Sequence, residues 1–226
     1  MKIIVFSDVH LSHRFNQRKF DYLEKLIKSA DKVIINGDFW DYFRCNFRTF
    51  VKSQWKKLFN LLKEKETIYI LGNHDKRQWL NKDVFLFSQT HLESYELKVG
   101  KFTYVFKHGH QYAPRLSESF PNLPLRKLNQ KFHLLTIQSY IENNGYRLIG
   151  KRIYALFPKK GLINNAKMKR AVVEKFKDNE ILVAGHSHYA QYLPKERFIN
   201  VGCISNHYAS HLVIEGGKVE LVEDEY

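Results

Sequence analysis

Five short blocks of this sequence combine Asp, Asn and His at spacings that suit metal binding. They are Asp8-Val9-His10, Gly37-Asp38-Phe39-Trp40-Asp41, Gly72-Asn73-His74-Asp75, His108-Gly109-His110 and Gly185-His186-Ser187-His188. In extended backbone residues i and i+2 project to the same side, so Asp8 with His10, and His186 with His188, can each present two side chains to one centre. The donors are carboxylate, amide oxygen and imidazole without thiolate, a set that suits Mn, Fe, Zn or Co better than calcium cages or iron–sulfur clusters. Donors this numerous exceed what one tetrahedral ion uses, and two metals sharing a carboxylate is the economical arrangement. Glycines before Asp38, Asn73 and His186 let the backbone turn sharply where a side chain must enter a crowded centre.

Each block alone has an ordinary explanation. Asp-x-His recurs by chance, and Gly-Asn-His-Asp is a run of turn formers. What joins them is position, because each follows a predicted strand. Residues 2–7 read as a buried strand, and Phe20, Leu23, Ile27 and Ala30 then recur at helical spacing. Residues 33–36 form a second strand, Val51, Trp55, Leu58 and Leu62 share one face of a second helix, and residues 67–71 form a third strand. This β-α-β-α-β order predicts a parallel, doubly wound arrangement with its ligands beyond the carboxyl ends of the strands. A hairpin follows over 95–106 around Gly100-Lys101, then strands at 181–184 and 198–201 and a hairpin at Gly216-Gly217. Five strand ends thus deliver their blocks toward one rim.

Composition narrows the setting. The 226 residues carry 37 Lys+Arg against 23 Asp+Glu, and 15% are aromatic, which argues for a folded core rather than disorder. No apolar run reaches the roughly 18 residues of a membrane span, and residues 3–6 are too short for a signal-peptide core, so the expectation is a cytoplasmic protein. Cys45 and Cys203 lie outside any CxxC pattern, which suits a reducing compartment. Between Gly109 and Lys177 stand fourteen Lys/Arg and three acids, Glu118, Glu142 and Glu174. We read about 114–177 as a basic helical lid inserted into a single domain of residues 1–226, with Leu125, Leu128, Phe132 and Leu135 on one face and Ile149, Ile153, Leu156 and Phe157 on another. Its charge points to an anionic partner: a phosphate-bearing substrate, an anionic membrane surface or a nucleic acid.

With these five blocks in this order, the sequence resembles the calcineurin-like metallophosphoesterases over residues 1–110 and about 180–222. The resemblance implies an α/β fold, a β-sandwich flanked by helices in four αββα layers, with a dinuclear metal site at the strand ends. Carried over position by position, Asp8, His10 and His188 hold one metal, Asp38 bridges, and Asn73, His108 and His186 hold the second. His74 matches the family's catalytic histidine, which stabilises the phosphoryl group or protonates the leaving oxygen, and Asp75 would hold that imidazole in its productive tautomer. Asp41 fits a residue that orients a ligand rather than binding metal itself. Either imidazole of His108-Gly109-His110 could reach a metal, and family precedent favours His108 over His110. The implied cofactors are two divalent ions, Mn first, with Fe, Zn or Co as alternatives. Ions ~3.5–4 Å apart would activate a water for in-line attack on a phosphodiester or pyrophosphate, so no Ser or Cys nucleophile is required. Cys45 and Cys203 then read as packing residues.

Within the family, the layout resembles the UDP-2,3-diacylglucosamine pyrophosphatases in length, in the His108-Gly109 block and in a helical lid placed to receive acyl chains. Many of those enzymes carry Arg where this chain has His74. That resemblance implies a lipid-linked diphosphate substrate and peripheral contact with the inner face of an anionic membrane. The competing readings are a nuclease or cyclic-nucleotide phosphodiesterase using the basic lid, and a non-catalytic metal-binding scaffold. Of the other histidines, His13, His91, His133, His207 and His211 match no block and read as structural or exposed. Trp40 and Trp55 read as core, and Trp79 and Phe43 as aromatic packing that could border substrate.

Overall fold

The computed structural model describes residues 1–114 and 158–226. Its strands in chain order are β1 (Lys2–Phe6), β2 (Lys32–Asn36), β3 (Ile68–Ile70), β4 (Thr90–Leu92), β5 (Tyr95–Val99) and β6 (Phe102–Phe106), followed by β7 (Glu180–Ala184), β8 (Gln191–Leu193), β9 (Phe198–Asn200), β10 (Ile204–Ser205), β11 (Tyr208–Glu215) and β12 (Lys218–Glu225). The helices are α1 (Gln17–Lys28), α2 (Phe47–Val51), α3 (Phe59–Glu64) and α4 (Pro158–Lys175). Helix α1 starts where the Asn16 side chain accepts the Lys19 backbone N–H at 2.9 Å, and ends with Lys25 and Lys28 against the negative pole of its dipole.

Two sheets result. In the first, β1, β2, β3 and β4 run parallel, β11 pairs antiparallel with β1, and β10 and β12 both pair with β11. The second has the order β5-β6-β7-β9-β8. Alternation along the strands explains why the sheets stack. Ile3, Val5, Ile34, Ile68 and Ile70 on one face of the first sheet meet Tyr104, Phe106, Ile181, Val183 and Ile199 of the second. On the opposite face, Ile4, Phe6, Val33, Ile35 and Tyr69 pack against Phe20, Leu23 and Ile27 of α1 and against Phe50 and Leu62 of α2 and α3. Helix α4 covers the outer face of the second sheet, with Met168 and Val172 on Leu182, Ala184 and Phe198. The layers are therefore helix, sheet, sheet, helix.

This arrangement corrects three expectations. The parallel strands are not doubly wound: α1, α2 and α3 all lie on one face, because the other face of the first sheet is occupied by the second. The second helix is not continuous, since Ser53 is extended (φ −72, ψ 174) between α2 and a 3-10 turn at Gln54–Leu58, and its hydroxyl bonds the Phe50 carbonyl at 2.6 Å. Val51, Trp55, Leu58 and Leu62 are nevertheless all buried. Helix α4, read as part of the basic insertion, is a layer of the body. The expected apolar faces at Leu125–Leu135 and Ile149–Phe157 lie outside the described residues.

The strand β4, absent from the sequence reading, has only three residues and no period long enough to register. Both expected hairpins form, with positive φ at Gly100 in one and at Gly216 and Gly217 in the other. Across the sandwich, the Asn36 side-chain amide at the end of β2 donates to the Val183 carbonyl of β7 at 3.0 Å, tying the sheets together where the strand ends meet. Met168 of α4 is fully buried against the second sheet, so Met168→Ala is expected to lower unfolding stability by about 2–5 kcal/mol in urea titration. A loss near zero would mean that α4 does not pack as a layer.

Candidate metal centre

The carboxyl ends of β1, β2, β3, β6 and β7 lead into the five blocks, and the loops after β1 and β2 zip together. Asp8, His10 and Leu11 donate backbone N–H bonds to the carbonyls of Gly37, Asp38 and Phe39, and Asp41 returns one to Leu11. All seven residues assigned to metal by the resemblance come together at this edge. His188 Nε2 lies 3.1 Å from both Asp8 Oδ1 and His10 Nε2. His10 Nε2 stands 3.7 Å from Asp8 Oδ1 and 3.8 Å from Asp38 Oδ2. On the other side of Asp38, His108 Nε2 is 3.2 Å from Asp38 Oδ2 and 3.2 Å from Asn73 Oδ1, and His186 Nδ1 is 2.9 Å from that same Asn73 oxygen. Asp8, Asp38, Asn73, His108 and His186 are buried, whereas His10, His74 and His188 are partly exposed.

Backbone carbonyls fix which imidazole nitrogens face inward. A carbonyl only accepts, so His108 Nδ1–H donates to Asn36 O at 2.9 Å and His186 Nε2–H donates to Ala113 O at 2.8 Å. That leaves His108 Nε2 and His186 Nδ1 directed at Asn73 Oδ1 and, for His108, at Asp38. Asp8 Oδ2 is satisfied by the Ser7 hydroxyl at 2.5 Å and the His186 backbone N–H at 2.8 Å, while buried Asp8 Oδ1 accepts no hydrogen bond of regular geometry. Imidazole nitrogens and carboxylate oxygens facing one another in a buried site are tenable only with a proton or a metal cation between them. Three groups of such atoms lie close enough to hold an ion: Asp8, His10 and His188; Asp8, Asp38 and His108; and His10, Asp41 and His74. The donor set therefore fits divalent metal.

The backbone is strained to achieve this. Asp8, His10, Asp38, His186 and His188 all have φ between 51° and 66°, a left-handed region that residues with a Cβ seldom adopt. Of the three glycines before ligand positions, only Gly37 has a positive φ. Gly72 is required by close approach instead, since a Cβ there would lie 2.1 Å from Asp38 Oδ1.

Asp75 does not hold His74. Its carboxylate accepts the Gly72 N–H at 2.6 Å, the Phe39 N–H at 2.8 Å and the Tyr69 hydroxyl, which clamps the loops after β2 and β3 to each other. The residue on His74 is Asp41, whose Oδ1 accepts from His74 Nδ1 at 3.1 Å, while its Oδ2 stands 3.5 Å from His10 Nδ1 and 3.0 Å from Arg44 Nε. The i+1 position of Asp75 points it away from the His74 ring, back into the sheet. His110 joins none of the three groups, and its ring lies 5.6 Å from that of His108. Ser7, Arg44 and the Ala113 carbonyl were not singled out by the sequence. Nothing in a lone Ser, Arg or backbone oxygen distinguishes it before the loops are folded.

A model of the calcineurin-like phosphoesterase family matches residues 1–200. The chain belongs to that family. As a family member it is a metal-dependent phosphoesterase. Among solved structures it is similar to YfcE, a phosphoesterase from E. coli, at 17% identity over 96% of this chain and 89% of that one, with a TM-score of 0.48. It is also similar to a Vps29 variant from Entamoeba histolytica (17% identity, 100% and 99% coverage, TM-score 0.44) and to a predicted phosphoesterase from Streptococcus pneumoniae (15%, 100% and 92%, TM-score 0.43). No curated protein matches the chain at a significant level. Among the described residues no helix is long and apolar enough to cross a membrane.

Electrostatics at this phosphoesterase centre follow from its charge pairs. Burial opposes charge on His10, but Asp41, Asp8 and Asp38 raise it to about 9; burial likewise opposes charge on His108, but Asp38 and Asp8 raise it to about 10. In Asp8, Asp38 and Asp41 burial favours the neutral acid, yet the surrounding imidazoles hold all three below the usual carboxylate range. Burial, with the charge of Asp38, raises Asp75 to about 6, and burial, with the charge of His108, lowers His110 to about 4.

Three outcomes follow. Without metal, folded His10 and His108 keep protons up to about pH 9 and 10 that the unfolded chain loses near 6.5. Their stabilisation is complete below about pH 6.5 and is lost above it, so the melting temperature in EDTA should fall as pH rises from about 6.5 to about 9. Divalent metal must displace these protons, and calorimetry in buffers of different ionisation heat should register release of about one to two protons near pH 7.5. A chelator-treated protein that grows more stable over that range contradicts the charge assignment. Gly72→Ala should keep the fold by circular dichroism but weaken metal binding by about 10–100-fold, because Asp38 must move.

Proposed function

We propose that the protein is a dinuclear-metal phosphohydrolase cleaving a phosphodiester or diphosphate bond. The observation that carries this reading is the position of Asp38 Oδ2 between the two sides of the cluster, 3.8 Å from His10 Nε2 and 3.2 Å from His108 Nε2. In this reading Asp8, His10 and His188 hold one cation, Asn73, His108 and His186 hold the other, and Asp38 is shared. Manganese is the first choice, with iron, zinc or cobalt as alternatives. When bound, such a pair supplies Lewis acidity toward phosphoryl oxygens and lowers the pKa of water.

The chain's own residues supply orientation and a proton. His74 Nδ1 donates to Asp41, so its Nε2, 4.0 Å from Asp38 Oδ2, is turned to the centre. In the imidazolium form Nε2–H is the donor to the leaving oxygen. Arg44 holds the far side of Asp41, keeping the carboxylate between the two imidazoles. Both cysteines are free and buried, and the Ser7 hydroxyl is committed to Asp8, which supports a reaction without a protein nucleophile. The sharper substrate reading, a lipid-linked diphosphate of the UDP-diacylglucosamine type, rests on layout and on an acyl receptor expected in a segment outside the described residues.

The test is turnover by metal-stripped protein with Mn²⁺ restored. The panel contains bis(p-nitrophenyl) phosphate, p-nitrophenyl phosphate, a cyclic nucleotide and UDP-diacylglucosamine, with UMP as the readout for the last. His74→Ala is expected to lower kcat by about 10²–10⁴-fold with metal still bound, and Asn73→Ala to lose metal and activity together. Preference for UDP-diacylglucosamine would establish the lipid substrate. Turnover of small diesters alone would remove it, and silence across the panel with two metals bound would favour the scaffold reading.

A further inference from the structure

Beside the metal centre, on the side of α4, lies a second cluster of charge that the reaction does not use. The loop after His108 turns back on itself, with Tyr112 and Ala113 donating to the Gly109 carbonyl at 3.0 and 3.3 Å. It is pressed onto α4, since a Cβ at Gly109 would lie 2.5 Å from Met168 Sδ. Between loop and helix opens a groove of about 240 Å³, whose charged lining is Lys167, Arg170, Lys175 and Glu174, with Gln111, Tyr112 and Ala171 beside them. Two ammonium groups flank the Tyr112 ring, Lys175 Nζ of the groove at 5.6 Å and Lys107 Nζ, outside its lining, at 5.9 Å from the centroid. Lys107 Nζ also lies 3.4 Å from the Tyr112 hydroxyl.

Among the described residues acid only partly balances these charges. Glu174 is occupied by Arg170 at 2.8 Å, and Lys107, Lys167 and Lys175 form no ion pair within the described residues. By contrast Lys169, on another face of the same helix, is paired with Glu196 at 2.8 Å. Like charges gathered in one groove repel, and an aromatic ring offsets only part of that repulsion. A phosphoryl group would neutralise them, with Tyr112 as a hydrogen-bonding floor. The loop that forms the groove also touches the centre, because the carbonyl of Ala113, one residue on from Tyr112, orients His186.

We propose that this groove is a binding site for a second phosphoryl group of the substrate, making the enzyme selective for substrates with a distal phosphate. The inference rests on the phosphohydrolase reading. It commits to a compact phosphate, for which a groove of about 240 Å³ has room.

Two esters test it, the p-nitrophenyl ester of thymidine 5′-phosphate with and without a 3′-phosphate, assayed on the Mn²⁺-loaded full chain. Wild type is expected to favour the 3′-phosphorylated ester by about tenfold in kcat/KM, and Lys107→Ala/Lys175→Ala to bring the ratio near one. An unchanged ratio in the double variant, or no preference in wild type, overturns the site. If neither ester turns over, the phosphohydrolase reading fails separately, and calorimetric titration of the full chain with trimetaphosphate decides the groove. Binding lost in the double variant supports it, and binding unaltered or absent refutes it. Tight, steeply salt-dependent binding of a single-stranded oligonucleotide with none of trimetaphosphate would overturn it in favour of a nucleic-acid track.

Discussion

Three buried carboxylates, Asp8, Asp38 and Asp41, stand at one end of the sandwich among histidines on every side. Such anions in a low-dielectric setting repel one another and lack water, so the fold is tenable only with positive charge between them. In the metal-free chain protons on His10 and His108 serve that purpose, which is why their affinity for protons is high. Divalent ions offer the same compensation with more charge and fixed directions. Much of the remaining architecture can be understood as the means of holding these groups in place.

The holding is done by backbone. Five of the site residues sit in left-handed conformations, each of which costs of order 1–3 kcal/mol, and the compensation is spread through neighbouring contacts. The loops after β1 and β2 are zipped by main-chain hydrogen bonds, and Asp75 clamps the loop after β3 to them. Carbonyls of Asn36 and Ala113 set the imidazoles of His108 and His186. The sandwich core of Ile3, Val5, Ile34, Phe106 and Val183 sits directly beneath, so the strain is carried by a rigid support.

Division of labour around Asp41 illustrates the same economy. One carboxylate touches both His74 and His10 and is itself anchored by Arg44. A residue reaching three partners couples the orientation of the partly exposed imidazoles to one another, so a substitution there would disturb more than one function.

Much of the site was legible in the sequence because its signals are local. An Asp or His placed just after a run of Ile and Val is a pattern of a few residues, so the five blocks and the strands carrying them could be read directly, while the choice of seven ligands came from the resemblance and their left-handed backbone from neither. The four-layer order was implied by resemblance, whereas periodicity alone pointed to a doubly wound sheet. What only the tertiary structure decided were pairings between segments far apart in sequence. That Asp41 rather than adjacent Asp75 supports His74, that His186 turns Nδ1 inward, that Gly72 is needed for contact with Asp38, and that α4 is a layer of the body all depend on which surfaces meet. In the bend after β3 the Asp75 carboxylate is taken up by the Gly72 and Phe39 N–H groups and the Tyr69 hydroxyl, so nearness in sequence misplaced Asp75, and only the packing of one loop on another put Asp41 in its stead.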